Sequence, residues 1–334
     1  MLTHKPILVT LKRALVRLLA PAILAAGALS AQAAAPLKVG YSDWPGWVAW
    51  QVALDKGWFK EAGVDVKFEW FDYSASLDAF AAGKLDVVGV TNGDALVTGS
   101  GGGKSRIFLV TDYSAGNDQI IAKPGIKSIK DLKGKKIAVE EGLVDHLLVV
   151  TALKKAGLKA SDVKFVNAKT NELPQVFTAP DIAAIGVWQP IASEAIKAVP
   201  GAKAIYTSAD EPGLIYDTFA AQPGVAKARK EELKKFIKVW DRVVAYIKDP
   251  ATRPDALKIM AARSGVSPQE YEVFVNGTHL LNSEDAKKVF TKGPGLDSLY
   301  GSTENVNKFN VANKVYPKAE NVDAYLDPSF ALGK

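Results

Sequence analysis

The stretch Leu37-Lys38-Val39-Gly40-Tyr41-Ser42-Asp43-Trp44-Pro45-Gly46-Trp47-Val48-Ala49-Trp50 decides the fold. Its first five residues alternate as a short strand does, and Ser42 to Gly46 form a turn rich in chain breakers. A helix is expected next, carrying Trp47, Val48, Trp50, Gln51, Ala53 and Leu54. In open α/β sheets a ligand sits at the carboxyl ends of the strands. Asp43, Trp44 and Trp47 therefore stand where a small molecule would be held, while Trp50 fits the core equally well.

The pattern repeats along the first half of the chain. Val64, Val66, Phe68 and Trp70 share one face of a period-two segment that ends in Phe71-Asp72-Tyr73-Ser74-Ala75-Ser76. The apolar run Val87–Val90 has the character of a buried parallel strand and ends in Thr91-Asn92-Gly93-Asp94. Further strands are expected at Arg106–Thr111, Gln119–Ala122, Ile137–Val139, Val163–Val166, Ala183–Val187, Lys203–Tyr206 and Tyr216–Ala220. From Lys227 the chain reads as helical. Leu233, Phe236, Ile237, Trp240, Val243, Val244 and Ile247 form one stripe, and shorter helices follow, with His279 in this helical tail.

Residues 1–33 read as a targeting segment and not as fold. Lys5, Lys12, Arg13 and Arg17 precede an apolar run from Leu18 to Leu29, too short for a membrane span. Ala31-Gln32-Ala33 suits cleavage near Ala33. This predicts export to a bacterial periplasm. The chain has no cysteine, hence no disulfide and no lipid-modified cysteine as an anchor. Four of its 42 Lys and Arg residues lie in that leader, leaving 38 against 36 acidic residues. So even a balance argues against a nucleic-acid footprint.

Thr98-Gly-Ser-Gly-Gly-Gly-Lys104-Ser105 resembles a phosphate loop only superficially. The first glycine of that motif would fall at Thr98, so the run reads as a surface loop. The histidines are His4, His146 and His279; they form no metal set and no triad. No catalytic residue, cofactor or metal is expected.

Taken in order, several short motifs resemble the periplasmic solute-binding proteins of the nitrate/taurine branch of ABC importers. Aliphatic-sulfonate and thiamine-pyrimidine-precursor binders belong to that branch. The motifs are Val39-Gly40-Tyr41, Gly57-Trp58-Phe59-Lys60-Glu61-Ala62-Gly63-Val64, Gly83-Lys84-Leu85-Asp86, Ile129 through Val139, and Trp188-Gln189-Pro190. The turn at Tyr41–Trp50 and the Val90–Ala95 block resemble more closely the binders encoded beside urea carboxylase and its guanidine-using relatives. The resemblance implies a type II periplasmic binding protein: two α/β lobes, each a mostly parallel sheet flanked by helices. Two hinge strands would join them, near Ser114–Gln119 and Leu214–Phe219. Lobe one would take residues 36–115 and 217–334, including the C-terminal helices, and lobe two residues 116–216. It also implies a monomer that hands a small molecule to an inner-membrane permease.

The residues themselves speak to the ligand. The polar groups at strand ends are Asp43, Tyr73, Ser74, Thr91, Asn92, Asp94, Asp112, Asn117, Asp118, Glu140, Glu141, Trp188 and Asp217, with His146 opening a helix nearby. Acids and amides far outnumber bases. An anion binder should offer Arg, Lys or a helix amino terminus. Carboxylates and aromatic rings instead suit a small nitrogenous ligand, guanidine- or urea-like, held by bidentate and cation–π contacts. The expected ligand-binding set is Asp43, Trp44, Trp47, Tyr73, Ser74, Thr91, Asn92, Asp94, Asn117, Asp118, Glu141, His146, Trp188 and Asp217. The bland alternative is that acids at helix starts serve only as caps and dipole partners. A small anion, a thiamine precursor, or a sensory module delivering ligand to a receptor remain the competing functions.

Overall fold

A computed structural model describes residues 35–332. The expected leader and its cleavage near Ala33 lie outside the described residues. Eleven strands are described: β1 (Leu37–Tyr41), β2 (Val66–Trp70), β3 (Val87–Thr91), β4 (Arg106–Ser114), β5 (Asp118–Ala122), β6 (Lys136–Val139), β7 (Lys164–Asn167), β8 (Ile182–Trp188), β9 (Lys203–Thr207), β10 (Tyr216–Ala221) and β11 (Thr278–Leu280). They form two sheets, ordered β11-β4-β10-β3-β1-β2 and β7-β6-β8-β5-β9. In the first, β1 pairs parallel with β2 and β3, and β10 runs against both β3 and β4, so β1 to β4 share one direction. In the second only β5 runs against its neighbours. This is the two-lobed, mostly parallel α/β class.

The strands follow their composition. β3 (Val-Val-Gly-Val-Thr) is buried at every residue, as a central strand covered on both faces must be. β2 lies at the sheet edge, where Lys67 is exposed and pairs with Glu69 at 2.9 Å. The segment after β1 makes two short helices, Pro45–Val48 and Trp50–Asp55, instead of the single helix expected. Ala49 keeps right-handed helical dihedrals, so hydrogen bonding breaks there without a change of direction.

The helix Lys230–Lys248 buries the whole expected stripe. Trp50 inserts beneath it, with its ring centroid 4.4 Å from Phe236, 4.9 Å from Trp240 and 5.5 Å from Phe59. The C-terminal tail contains one strand that periodicity did not reveal. β11 is only three residues long and exists by pairing with β4, with His279 opposite and stacked on Tyr113 at 4.4 Å.

The chain passes from the first sheet to the second between Ser114 and Asp118, and returns between Thr207 and Tyr216. The two crossings are laced together. The Ser114 and Ser208 hydroxyls meet at 2.6 Å, and the Gly116 N–H donates to Ser208 Oγ at 2.8 Å. Gly213 sits at φ 78°, where a Cβ would meet the Leu296 carbonyl oxygen at 2.1 Å, so only glycine fits.

Candidate functional site

The turn after β1 meets the start of β5 and the end of β8 at a small chamber between the two sheets. Trp44, Trp47, Tyr73 and Trp188 supply four aromatic walls, Asp118 and Asp217 two carboxylates, and Thr91, Val144 and Ile215 the remainder. Its free volume is about 10 Å³, room for roughly one water. Tyr73 lies 5.6 Å from Trp47 and 5.4 Å from Trp188, nearly perpendicular to the latter.

Three of the four walls are fixed by hydrogen bonds behind them, while the buried Trp47 Nε1 has no partner among the described residues. Trp44 Nε1 donates to Asp112 Oδ1 at 3.0 Å. Gly46 is obligatory there, because a Cβ would stand 2.1 Å from Asp112 Oδ2. The Tyr73 hydroxyl donates to Asp94 Oδ2 at 2.7 Å and accepts from the Thr91 N–H at 3.1 Å. Trp188 Nε1 donates to Asp43 Oδ1 at 3.1 Å, tying the second sheet to the turn that follows β1.

The carboxylates are the chemical content of the site. Asp112 and Asp217 are register partners on β4 and β10, Asp118 opens β5, and Asp145 lies in the first turn of the helix Val144–Lys155. All four are buried. Asp112 pairs with Asp217 and Asp118 with Asp145 through carboxyl–carboxyl hydrogen bonds, the proton held on Asp217 and on Asp145; with all four ionised, the Oδ2 atoms of Asp112, Asp118 and Asp217 and both oxygens of Asp145 would have no donor. Burial pushes Asp112 up to about 6 and Asp118 up to about 7. Burial, then the Asp112 charge, raises Asp217 well above the carboxylate range; burial, then Asp118, does the same to Asp145. Burial also raises Asp94 to about 7 and Asp43 to about 6. Among the described residues no lysine or arginine lines the chamber. Burial without a basic partner holds these carboxyl groups toward their neutral form, and each pair shares a proton.

Trp44, Trp47, Tyr73, Thr91, Asp118, Trp188 and Asp217 come together in this chamber, with Asp94 one hydrogen bond behind Tyr73. Asp43 and Ser74 lie instead in an outer groove beside Trp70 and Asn171. Four expected site residues sit elsewhere, for identifiable reasons. Asn92 is spent on structure: Nδ2 donates to Ser302 Oγ and Thr303 Oγ1, and Oδ1 accepts from the Tyr216 N–H. Asn117 Nδ2 donates to the Phe274 carbonyl and to Thr278 Oγ1, both at 2.8 Å, which pins the first crossing. Glu141 is exposed, while its neighbour Glu140 accepts from Thr170. His146 Nδ1 accepts from the Gly142 N–H, its ring lies between Phe165 and Phe309, and burial lowers it to about 4.

Sequence reasoning missed Asp145, Val144 and Ile215, and noted Asp112 only as a strand end. The one signal for Asp145 was an acid in a helix's first turn, which the dipole explains just as well.

With the geometry in hand, comparison with known proteins places the chain. Residues 44–256 match the NMT1/THI5-like family. The chain belongs to that family. Among curated relatives, a binding protein of Brucella abortus (strain 2308) is 27% identical over 299 residues, 88% of this chain and 91% of that one. The taurine-binding periplasmic protein of Escherichia coli (strain K12) is 27% identical over 249 residues, 72% and 76% of the two chains. The alkanesulfonate-binding protein SsuA from Xanthomonas axonopodis pv. citri, bound to MOPS, superposes with TM-score 0.72 at 18% identity, covering 88% of this chain and 98% of its own. The desulfurization enzyme DSZB also shares the fold, with TM-score 0.60 at 13% identity over 89% and 98%. The fold thus hosts binders and at least one enzyme, and only the site can separate them.

Proposed function

We propose that this member of the NMT1/THI5-like family is the periplasmic solute-binding component of an ABC importer. It shuts two lobes around a small nitrogenous ligand, guanidine- or urea-like, and presents it as a monomer to an inner-membrane permease. The observation that carries the reading is a cluster of four buried carboxyl groups, two of them, Asp118 and Asp217, in the lining beside four aromatic rings, with no basic side chain among the described lining residues. A guanidinium offers N–H groups in a plane, so its edges can meet Asp118 and Asp217 while its face lies on an indole. A quaternary ammonium would use the rings but leave the oxygens without donors. The reading is of binding without turnover.

The relatives named for taurine and alkanesulfonates support a second reading, a small sulfonate. A sulfonate would need donors in place of the carboxylates here. Calorimetry with guanidinium, urea, taurine, an alkanesulfonate and nitrate separates the two. Guanidinium is expected to bind most tightly, and binding of the anions alone overturns the proposal.

A further inference from the structure

Four buried carboxyl groups converge from the two sheets. Asp112 and Asp217 are register partners on β4 and β10 of the first sheet, and Asp118 opens β5 of the second. Asp145 comes from the helix Val144–Lys155, which packs on β5 and β8. Asp217 and Asp118, one from each sheet, line the same chamber, which has room for roughly one water. Their surroundings supply no opposite charge. Asp112 meets Trp44, Thr111 and Asp217, and Asp118 meets Ser114 and Asp145. Asp94 adds its charge to Asp217 and Asp145, and Glu140 adds its own to Asp145. Tyr73, bonded to Asp94, and Tyr271, close to Asp112, are kept protonated by burial, and burial keeps His146 beside Asp145 neutral. None of the groups that chiefly shift the four acids is a lysine or arginine. Buried like charges this close cannot all ionise, so the cluster keeps protons at neutral pH. The acids do not gather as metal ligands either: among the described residues no set of three His, Cys, Asp or Glu is placed to hold a metal ion.

We propose that a guanidinium guest enters this chamber by exchange, taking the place of a proton held in the carboxyl cluster while that proton leaves for bulk water. The inference rests on the guanidine-like reading above. The exchange balances: one O–H bond of a carboxyl group breaks, the proton goes to water, and the carboxylate left behind accepts N–H bonds from the arriving cation. One positive charge replaces another, so the buried site never carries the full repulsion of its acids. Asp118 and Asp217 would touch the guest. Asp112 and Asp145 stand behind them as positioning residues that share or surrender the proton. Selectivity then depends on pH. Guanidinium competes with protons and binds more tightly as pH rises, whereas neutral urea displaces none and keeps a level affinity.

The test is calorimetry on the whole protein at about pH 6.5, with guanidinium and with urea, in buffers of different ionisation enthalpy, which counts the protons exchanged. About one proton should be released per guanidinium bound and none per urea. Guanidinium affinity should rise about five- to ten-fold per pH unit between about pH 5.5 and 7.5. Asp145→Asn replaces the proton-sharing partner of Asp118 by an amide that always donates, so both the proton count and the pH slope for guanidinium should fall. A merely structural loss would weaken binding alike at every pH. Should that variant not fold, the count on the unaltered protein decides. Guanidinium binding with no proton release, with proton uptake, or with the same release as urea overturns the exchange alone. No guanidinium binding at any pH between about 5 and 8.5 overturns the guanidine-like reading and the exchange with it.

Discussion

Two aromatic clusters grow out of the same short segment and do opposite things. Trp50 packs against Phe59, Phe236 and Trp240, with Phe68 adjoining. Six residues earlier, Trp44 packs into the wall of a chamber, with Trp47, Tyr73 and Trp188. The first cluster encloses carbon. Its main polar atom, Trp240 Nε1, donates to the Leu281 carbonyl at 2.8 Å, although Trp50 Nε1 goes without a partner. The second cluster adjoins buried carboxyl groups that have chiefly one another as partners, Asp112 with Asp217 and Asp118 with Asp145. The same residue type thus builds stability in one place and, in the other, a low-dielectric frame that makes buried charge costly.

The largest effect should come from breaking the first cluster. Trp50→Ala removes a fully buried ring and should cost about 3–5 kcal/mol of stability, lowering the melting temperature by on the order of 10 °C. Guanidinium affinity measured well below the transition should stay near its original value. A parallel loss of affinity would mean the clusters are one mechanical unit.

Breaking the second cluster should act in the reverse sense. Asp217→Asn removes a buried carboxylate that burial and Asp112 hold well above its ordinary range. Guanidinium affinity should fall about 10–100-fold, the usual effect of losing one charge-assisted hydrogen bond. Melting at pH 7.5 without ligand should rise. The sign follows from linkage. Asp118 and Asp94 titrate near 7 and Asp112 and Asp43 near 6 in the folded chain, against an ordinary value of 3.8. Between about pH 4 and 7 the folded chain holds protons that the unfolded chain has released. Stability contributed by these groups is therefore present below about pH 4 and lost as pH rises through 6 to 7. Thermal melts across pH 4–8 should show this decline, and Asp217→Asn should flatten it. A wild-type curve that rises from pH 5 to 7.5 would contradict the assignment of these carboxylates as the destabilising groups.

The same contrast explains what the sequence could tell. β3 announces itself as an apolar run, Val87–Val90, bounded by Asp86 and Thr91, and the stripe on Lys230–Lys248 needs only its own period. Local composition carries such elements because their burial is decided by near neighbours. The site is different. Asn92 and Asp118 look alike at strand ends, yet Asn92 is claimed by Ser302 and Thr303 far along the chain, while Asp118 lines the chamber with Asp145 as its carboxyl partner. Which polar group is spent and which is free is settled by a tertiary partner that no window of sequence contains. The three-residue β11 escaped for the same reason, being a strand only through β4.

The smallest expected effect concerns the contact that joins the two halves of the second cluster. Trp188 Nε1 reaches from β8 to Asp43 in the turn after β1, and Asn171 Nδ2 to Asp72 Oδ2 at 3.1 Å makes a similar bridge nearby. Trp188→Phe keeps a ring against Tyr73 and deletes the donor. One such hydrogen bond is worth about 1 kcal/mol, so ligand release in stopped-flow should quicken about five-fold, with association nearly unchanged. Asp43→Asn is the informative partner, because an amide oxygen can still accept from the indole and should leave release close to the original rate. If both variants release alike, the ring and not its N–H holds the lobes. The two aromatic clusters would then differ in what they enclose but not in how they cohere.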